Sequence, residues 1–191
     1  MRIAELYQSR QGEGLLTGTE SIFIRTSGCN LRCWFCDTPY TSWAPEGVEM
    51  DVAGVLDGAS QWSATRHVVI TGGEPMLQLD EALIDALHQR GFRIAVESNG
   101  TLPATPGIDW LCISPKAGTN VVQQSGDELK LVWPQKGIDP AELEGWDFGH
   151  FLIQPMDCED GKAAVDAAIR LAMERPRWRL SLQAHKVVGL A

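Results

Sequence analysis

The chain has 191 residues, of which 44% are hydrophobic and 21% charged, values typical of one globular domain spanning residues 1–191. Its formal net charge of −9 argues against binding to nucleic-acid phosphates, which requires clustered Lys and Arg. No apolar run approaches the roughly 20 residues of a membrane helix, and the first residues lack the apolar core of a signal peptide, so we expect a cytoplasmic protein.

Strand and helix patterns alternate from the first third of the chain onward. Alternating apolar and polar residues predict a strand at residues 20–26, and a modest helix candidate follows at residues 48–62. A short apolar strand at residues 67–71 stops at a Gly-Gly-Glu-Pro turn. The next helix is predicted to begin after an N-cap at Asp80 and to end at Gly91.

The alternation continues through the second half. Apolar runs predict strands at residues 92–97, 110–114, 128–133 and 151–154. A strong helix is predicted at residues 161–174, and the last strand at residues 179–183. The inward face of the strong helix is predicted to consist of Val165, Ala168, Ile169 and Ala172.

This order of elements predicts an α/β fold with a largely parallel sheet. In such folds the functional site forms at the carboxyl ends of the strands, so the loops that follow the strands should converge. Those loops carry the unusual residues of this chain, at positions 29–36, 72–75, 98–100, 114–116 and 154–156.

Three of the five cysteines crowd one loop with the spacing Cys29-x3-Cys33-x2-Cys36. An odd total with one local cluster is unlike a secreted disulfide framework and favours metal-bound thiolates in a reducing compartment. Three thiolates can hold a four-iron cluster and leave one iron open to a small molecule. Cys112 lies in an apolar run and is predicted to be buried, whereas Cys158 would need the chain to fold back to serve as a fourth ligand.

Two non-catalytic alternatives stay open on the cysteines alone. A structural zinc site needs four protein ligands, but only Cys33 and Cys36 form a Cys-x2-Cys pair, and the four histidines are dispersed. An iron–sulfur electron carrier normally ligates its cluster with four cysteines. The glycine turn at residues 72–75 has no purpose in either alternative.

The segment Cys29–Cys36 resembles the Cys-x3-Cys-x-aromatic-Cys signature of the radical S-adenosylmethionine (SAM) enzymes, and Thr71–Pro75 resembles their second motif. The resemblance implies that Cys29, Cys33 and Cys36 bind a 4Fe-4S cluster whose vacant iron is chelated by SAM. It also implies a partial, open TIM-like (βα) barrel, reduced in helices. In this family an electron from the cluster cleaves SAM to a 5′-deoxyadenosyl radical.

The resemblance extends over nearly the whole chain to one family of radical SAM enzymes, the 7-carboxy-7-deazaguanine synthases. The matching stretches are residues 8–14, 36–38, 97–100, 113–116, 154–156 and 181–186. It implies conversion of 6-carboxy-5,6,7,8-tetrahydropterin to 7-carboxy-7-deazaguanine with loss of ammonia, in the biosynthesis of queuosine and other 7-deazapurines. The radical abstracts the hydrogen at C6, the ring contracts, and SAM is regenerated. A glycyl-radical-enzyme activase, which shares the cysteine spacing and small size, remains the alternative enzyme.

The same resemblance implies roles for individual residues. SAM contacts are implied for Phe35, Cys36, Asp37, Gly72, Gly73, Glu74, Ser98, Ser114, Pro115, Lys116 and Gln154. Substrate contacts are implied for Arg10, Gln11, Gly12, Glu13, Arg25, Thr71, Glu97, His185 and the terminal Ala191. The guanidinium of Arg25 suits a carboxylate, and Glu97 can accept paired N–H donors of a pterin. Thr38 is implied as a ligand of Mg²⁺, a hard cation that prefers oxygen.

The resemblance also implies protein partners. We expect a homodimer, together with a flavodoxin or ferredoxin as electron donor.

Overall fold

Nine strands form one sheet in the computed structural model, which describes residues 1–38 and 47–190. The strands are β1 (Arg2–Arg10), β2 (Glu20–Thr26), β3 (Val48–Glu49), β4 (His67–Gly72), β5 (Arg93–Ser98), β6 (Trp110–Ile113), β7 (Ser125–Trp133), β8 (Asp147–Pro155) and β9 (Trp178–Leu180). The helices are α1 (Val52–Ser60), α2 (Glu81–Gln89), α3 (Pro140–Leu143), α4 (Gly161–Glu174) and α5 (Ala184–Val188). The order across the sheet is β3-β1-β2-β4-β5-β6-β7-β8-β9.

Most of the sheet is parallel. β1 pairs antiparallel with β2 and β3, whereas every described pair from β2 to β9 across the sheet is parallel. Residues 99–109, which join β5 to β6, contain no helix. The open, mostly parallel α/β sheet with few helices confirms the predicted fold class, and the carboxyl ends of the parallel strands lie at one edge. No helix in the described part of the chain is long and apolar enough to cross a membrane.

The two faces of the sheet differ in chemical character. On β7, Leu129 and Leu131 belong to the main hydrophobic core, whereas Glu128 and Lys130 line cavities on the opposite face. Glu97 on β5 also lines those cavities. Because successive side chains of a strand point to opposite faces, one face packs against helices while the other is free to form a polar site.

The predicted helix at residues 48–62 is wrong at its start. Val48–Glu49 instead pairs with β1 as a short strand. Helix α1 begins only after Asp51, whose carboxylate accepts a hydrogen bond from the backbone N–H of Gly54 at 2.8 Å and caps the helix. Strand β1 was not predicted, because only Ile3 among its residues is fully buried and the strand lacks a clear alternation.

Helix α4 has the predicted bounds, but its predicted inward face is wrong in part. The buried residues are Ala164, Ala168 and Leu171, whereas Ile169 is 40% exposed. These residues share one face at helical spacing, and the small alanines allow the helix to lie close to the sheet.

The last strand is also shorter than the predicted range of 179–183, because β9 covers only Trp178–Leu180. Beyond it, the side chains of Ser181 and Gln183 donate to Gln154 and Glu13.

Candidate active site

Two adjoining cavities open at the carboxyl ends of the strands. The first, which we call the cysteine cavity, measures about 900 Å³ including its open part, and it is lined among others by Cys29, Cys33, Phe35, Cys36, Gly72, Gly73, Ser98, Ser114, Lys116, Lys130 and Gln154. The second, which we call the arginine cavity, measures about 940 Å³ on the same basis and is lined among others by Arg10, Gln11, Gly12, Arg25 and His185. Residues common to both are Glu13, Asp37, Thr38, Thr71 and Glu97.

The cysteine loop and the glycine turn are joined by their backbones. Gly73 N–H donates to the carbonyl of Thr26 at 3.0 Å, and Glu74 N–H donates to the carbonyl of Gly28 at 2.9 Å. A Cβ on Gly73 would lie 1.9 Å from that Gly28 oxygen. Glycine is therefore required at position 73 by the close approach of the two loops, which holds the cysteines over the end of β4.

We expect Gly73→Ala to destabilise the protein by about 1–3 kcal/mol, because the clash is with backbone that cannot rotate away. Thermal unfolding should show a melting temperature several degrees below that of the parent protein. Gly161→Ala is the matched control, since a Cβ at that first residue of α4 would meet no atom within 4 Å. Equal melting temperatures for the two variants would contradict this account of position 73.

The three thiols provide the donor set of an iron–sulfur site. Burial raises the pKa of Cys29 and of Cys33, and for Cys33 the nearby charge of Lys116 opposes that rise. Among the described residues, no three His, Cys, Asp or Glu side chains converge as ligands of a single metal ion. Three thiols that line one cavity can each ligate a different iron of a cluster. Cys158 does not line this cavity, and Cys112 is buried as predicted.

Glu74 occupies a different position from the other predicted SAM residues. Its buried carboxylate lines neither cavity and accepts hydrogen bonds from the N–H of Met76 and Asn99 and from the hydroxyl of Ser98, at 2.8–3.0 Å. Burial raises the pKa of this carboxyl group. Glu74 thus fixes the end of β5 against the glycine turn. Pro115 also lies outside both cavities.

Polar groups from the ends of β6 and β8 complete the cysteine cavity. Lys116 Nζ donates to the carbonyl and hydroxyl oxygens of Ser114 at 2.8 and 2.6 Å, and burial lowers the pKa of this ammonium group. Gln154 Oε1 accepts from the hydroxyl of Ser181 at 3.0 Å, so its amide is held in place. These contacts leave a row of polar side chains facing the three thiols.

Lys130 is the main site residue that the sequence reasoning missed. Its Nζ lies 2.6 Å from Glu13 Oε2 and 2.9 Å from Glu97 Oε2, and its side chain is only 4% exposed. Burial disfavours the charged ammonium, but the two facing carboxylates prevail and raise the pKa of Lys130 well above its ordinary value. The sequence could have indicated this role, because Lys130 lies within the apolar strand pattern of β7 and is therefore expected to be buried. A buried lysine is rarely left without partners.

The arginine cavity contains the predicted substrate residues Arg25 and His185, each in contact with a residue of β1 or of the loop after it. Arg25 Nε lies 2.8 Å from Glu5 Oε2, and its Nη2 donates to the hydroxyl of Tyr7 at 3.2 Å. The His185 ring packs against Gly12 so closely that a Cβ there would lie 2.1 Å from Nδ1. The N–H of Ala184 donates to the Gly12 carbonyl at 2.8 Å, which docks helix α5 onto the loop after β1.

The C-terminal segment is tied to the cysteine loop by side chains that were not predicted. Lys186 Nζ lies 2.7 Å from Asp37 Oδ2 and 2.6 Å from Asp157 Oδ2. Gln183 Nε2 donates to Asp37 at 3.0 Å and to Glu13 at 2.8 Å. Asp37 is therefore engaged with the C-terminal segment. Ala191, predicted at the substrate, lies outside the described residues.

The chain is similar to known proteins over nearly its whole length. The Radical SAM superfamily model matches residues 23–129. The 7-carboxy-7-deazaguanine synthases of Bordetella pertussis and Caulobacter vibrioides are 45% and 44% identical to the chain, and each alignment covers 98% of both proteins. A solved structure, the crystal structure of QueE from Escherichia coli, superposes with a TM-score of 0.79 at 29% identity and covers 96% of this chain and 94% of that one.

Proposed function

Because the chain belongs to the radical SAM superfamily and, within it, to the 7-carboxy-7-deazaguanine synthase family, we propose that it converts 6-carboxy-5,6,7,8-tetrahydropterin to 7-carboxy-7-deazaguanine with release of ammonia. The observation that carries this proposal is the junction of two cavities. One holds the three thiols and the glycine turn, the other holds Arg25 and His185, and Glu97 is exposed to both. A cofactor in the first cavity thus lies next to a substrate in the second.

Cys29, Cys33 and Cys36 are assigned to a 4Fe-4S cluster, and the adjoining glycine turn to SAM. The chemistry supplied by these groups when bound is reductive cleavage of SAM to a 5′-deoxyadenosyl radical, which abstracts the C6 hydrogen and starts ring contraction. The protein contributes the enclosure. Gly72 and Gly73 keep the glycine turn against the backbone of Thr26 and Gly28, where a Cβ would clash. Ser114, Lys116 and Gln154 line the same cavity and would supply polar contacts for SAM. Phe35, Asp37 and Ser98 line the same cavity, and Glu74 and Pro115 support it from outside.

The substrate is assigned to the arginine cavity and the shared wall. Arg25 is proposed to bind the pterin carboxylate, because it lines this cavity and a guanidinium forms paired hydrogen bonds with carboxylates. The N–H-rich edge of the pterin needs acceptors, which Glu97 and the loop of Gln11, Gly12 and Glu13 provide. Arg10, Thr71 and His185 line the remaining wall.

Thr38 is proposed as a protein ligand of Mg²⁺, and its position in both cavities supports the proposal. A hard cation there would join a threonine oxygen to the substrate carboxylate. We expect Thr38→Ala to lower turnover about tenfold or more and to abolish stimulation by added Mg²⁺, whereas Thr38→Ser should retain it. Turnover is measured against Mg²⁺ concentration after treatment with chelator. An unchanged magnesium response in Thr38→Ala would count against the assignment.

The proposed reaction is tested with anaerobically reconstituted protein. We expect one 4Fe-4S cluster per chain and formation of the deazaguanine without net loss of SAM. The reason is that the substrate-derived radical would take a hydrogen back from 5′-deoxyadenosine, so that SAM could be regenerated. Stoichiometric release of methionine with the pterin unchanged would contradict the proposal. That outcome would instead favour an activase of a glycyl-radical enzyme.

The remaining assignments concern the cellular setting. We propose a cytoplasmic enzyme of 7-deazapurine biosynthesis that acts as a homodimer and takes electrons from a flavodoxin or ferredoxin. Exposed apolar side chains near the C-terminus, including Val187 at 80% and Val188 at 65%, support a contact with a second copy. Light scattering on the purified protein distinguishes monomer from dimer, and product formation with purified flavodoxin or ferredoxin identifies the donor.

A further inference from the structure

A buried ammonium links two carboxylates at the junction of the cavities. Lys130 bridges Glu13 and Glu97 at 2.6 and 2.9 Å, and all three residues line the cysteine cavity. Only the two carboxylate residues also line the arginine cavity. The three side chains come from β7, from the loop after β1 and from the end of β5. They are therefore brought into contact only when the sheet forms.

Each carboxylate is held at both of its oxygens. Besides the contact with Lys130, Glu97 Oε1 accepts from Gln11 Nε2 at 2.8 Å, and Glu13 Oε1 accepts from Gln183 Nε2 at 2.8 Å. A carboxylate oxygen has two lone pairs, so each still has acceptor capacity toward a ligand in the cavity. The contacts with Lys130 and the glutamines therefore fix orientation without consuming all of the acceptors.

Charge explains why a cation is needed at this place. Two carboxylates in one site repel each other, and without a cation one of them would take up a proton and become a donor. The titratable and charged groups around Lys130 are Glu13, Glu97, Cys112, Glu128 and Lys116. Burial raises the pKa of Glu13, but the facing charge of Lys130 prevails and lowers it to about 2. The Lys130 ammonium lies within 2.9 Å of both carboxylates and offsets their repulsion.

We propose that Lys130 is a positioning residue, which holds Glu13 and Glu97 as one fixed pair of acceptors that selects a ligand presenting adjacent N–H donors. The inference rests on the proposed function, in which that ligand is the pterin. A ligand that presents carbonyl oxygens to the same wall would meet two carboxylates and be rejected.

The test is anaerobic binding of carboxytetrahydropterin to the cluster-loaded protein, measured by calorimetry. We expect Lys130→Met to raise the dissociation constant about tenfold or more, a change of about 1.4 kcal/mol. Iron content should stay at the parent level, and pterin affinity should fall more than SAM affinity, because both direct partners of Lys130 also line the arginine cavity. Lys130→Arg should recover most of the pterin affinity, since it restores the cation. Lys162→Met, which removes an exposed lysine on α4, should bind as the parent does.

A second variant keeps the test decisive if Lys130→Met is unstable. The double variant Glu13→Gln, Lys130→Met has the net charge of the parent protein, and it does not leave two carboxylates facing each other without a cation. We therefore expect it to fold but still to bind the pterin weakly. Full affinity in this double variant, or in Lys130→Met, would overturn the positioning role. Equal loss of SAM and pterin affinity in Lys130→Met would overturn it too, as it would indicate general disruption. Failure of the parent protein to bind the pterin contradicts the proposed function instead.

Discussion

Cys33→Ala is expected to abolish turnover, with a loss of at least about a thousandfold. Enzymes accelerate reactions a millionfold or more, and here that acceleration depends on the proposed iron–sulfur cluster. Cys33 lies in the middle of the cysteine loop and lines the same cavity as Cys29 and Cys36. In the proposed site three thiolates ligate the cluster, so we expect the remaining two to hold it too weakly for assembly. Iron and sulfide analysis, the visible spectrum and SAM cleavage measure the effect.

The control for this experiment is Cys158→Ala. Cys158 is outside the cysteine cavity, so its variant should assemble the cluster and cleave SAM like the parent protein. Loss of the cluster in Cys158→Ala would make that cysteine a fourth ligand and remove the argument for an open iron. Retention of the cluster in Cys33→Ala would show that the loop is not the binding site.

Glu97→Ala should leave the cluster intact and lower kcat/KM for the pterin by about a hundredfold, or about 2.7 kcal/mol of transition-state stabilisation. The substitution removes an acceptor from the shared wall and leaves Lys130 with one carboxylate and the Gln11 amide without its acceptor. Buried donors without partners are costly, so the effect exceeds that of one exposed hydrogen bond. Steady-state kinetics with saturating SAM provide the measurement.

Two controls define the cause of that loss. Glu97→Gln preserves the shape of the side chain and one acceptor oxygen but removes the negative charge. Partial activity in this variant would show that hydrogen bonding contributes in addition to charge. Glu142→Ala removes an exposed carboxylate on α3 and should be neutral. If Glu97→Ala converted the pterin at the parent rate, Glu97 would have to be removed from the substrate site.

Much of the fold and the cysteine loop could be predicted from the sequence, because the patterns that indicate them lie within short stretches of the chain. The cysteine spacing and glycine turn need only neighbouring residues, and the strand at β4 and the helix α4 were visible from apolar periodicity. The fold class followed from their order. Errors arose where periodicity was weak, as in strand β1, and at the end of β9, where the hydroxyl of Ser181 donates to Gln154.

The spacing of Cys29, Cys33 and Cys36 and the glycine turn were sufficient to determine the reaction class, since a cluster loop is specified by a few adjacent residues. Only the tertiary structure determined which polar side chains face one another. Lys130 meets Glu13 across 117 positions of the sequence and Glu97 across 33, and no periodic pattern records such a contact. The same holds for the Glu74 carboxylate, which accepts hydrogen bonds from Ser98 and Asn99 at the end of β5. The physical reason is that strand order and register, set by burial of the whole sheet, decide which distant residues share a cavity.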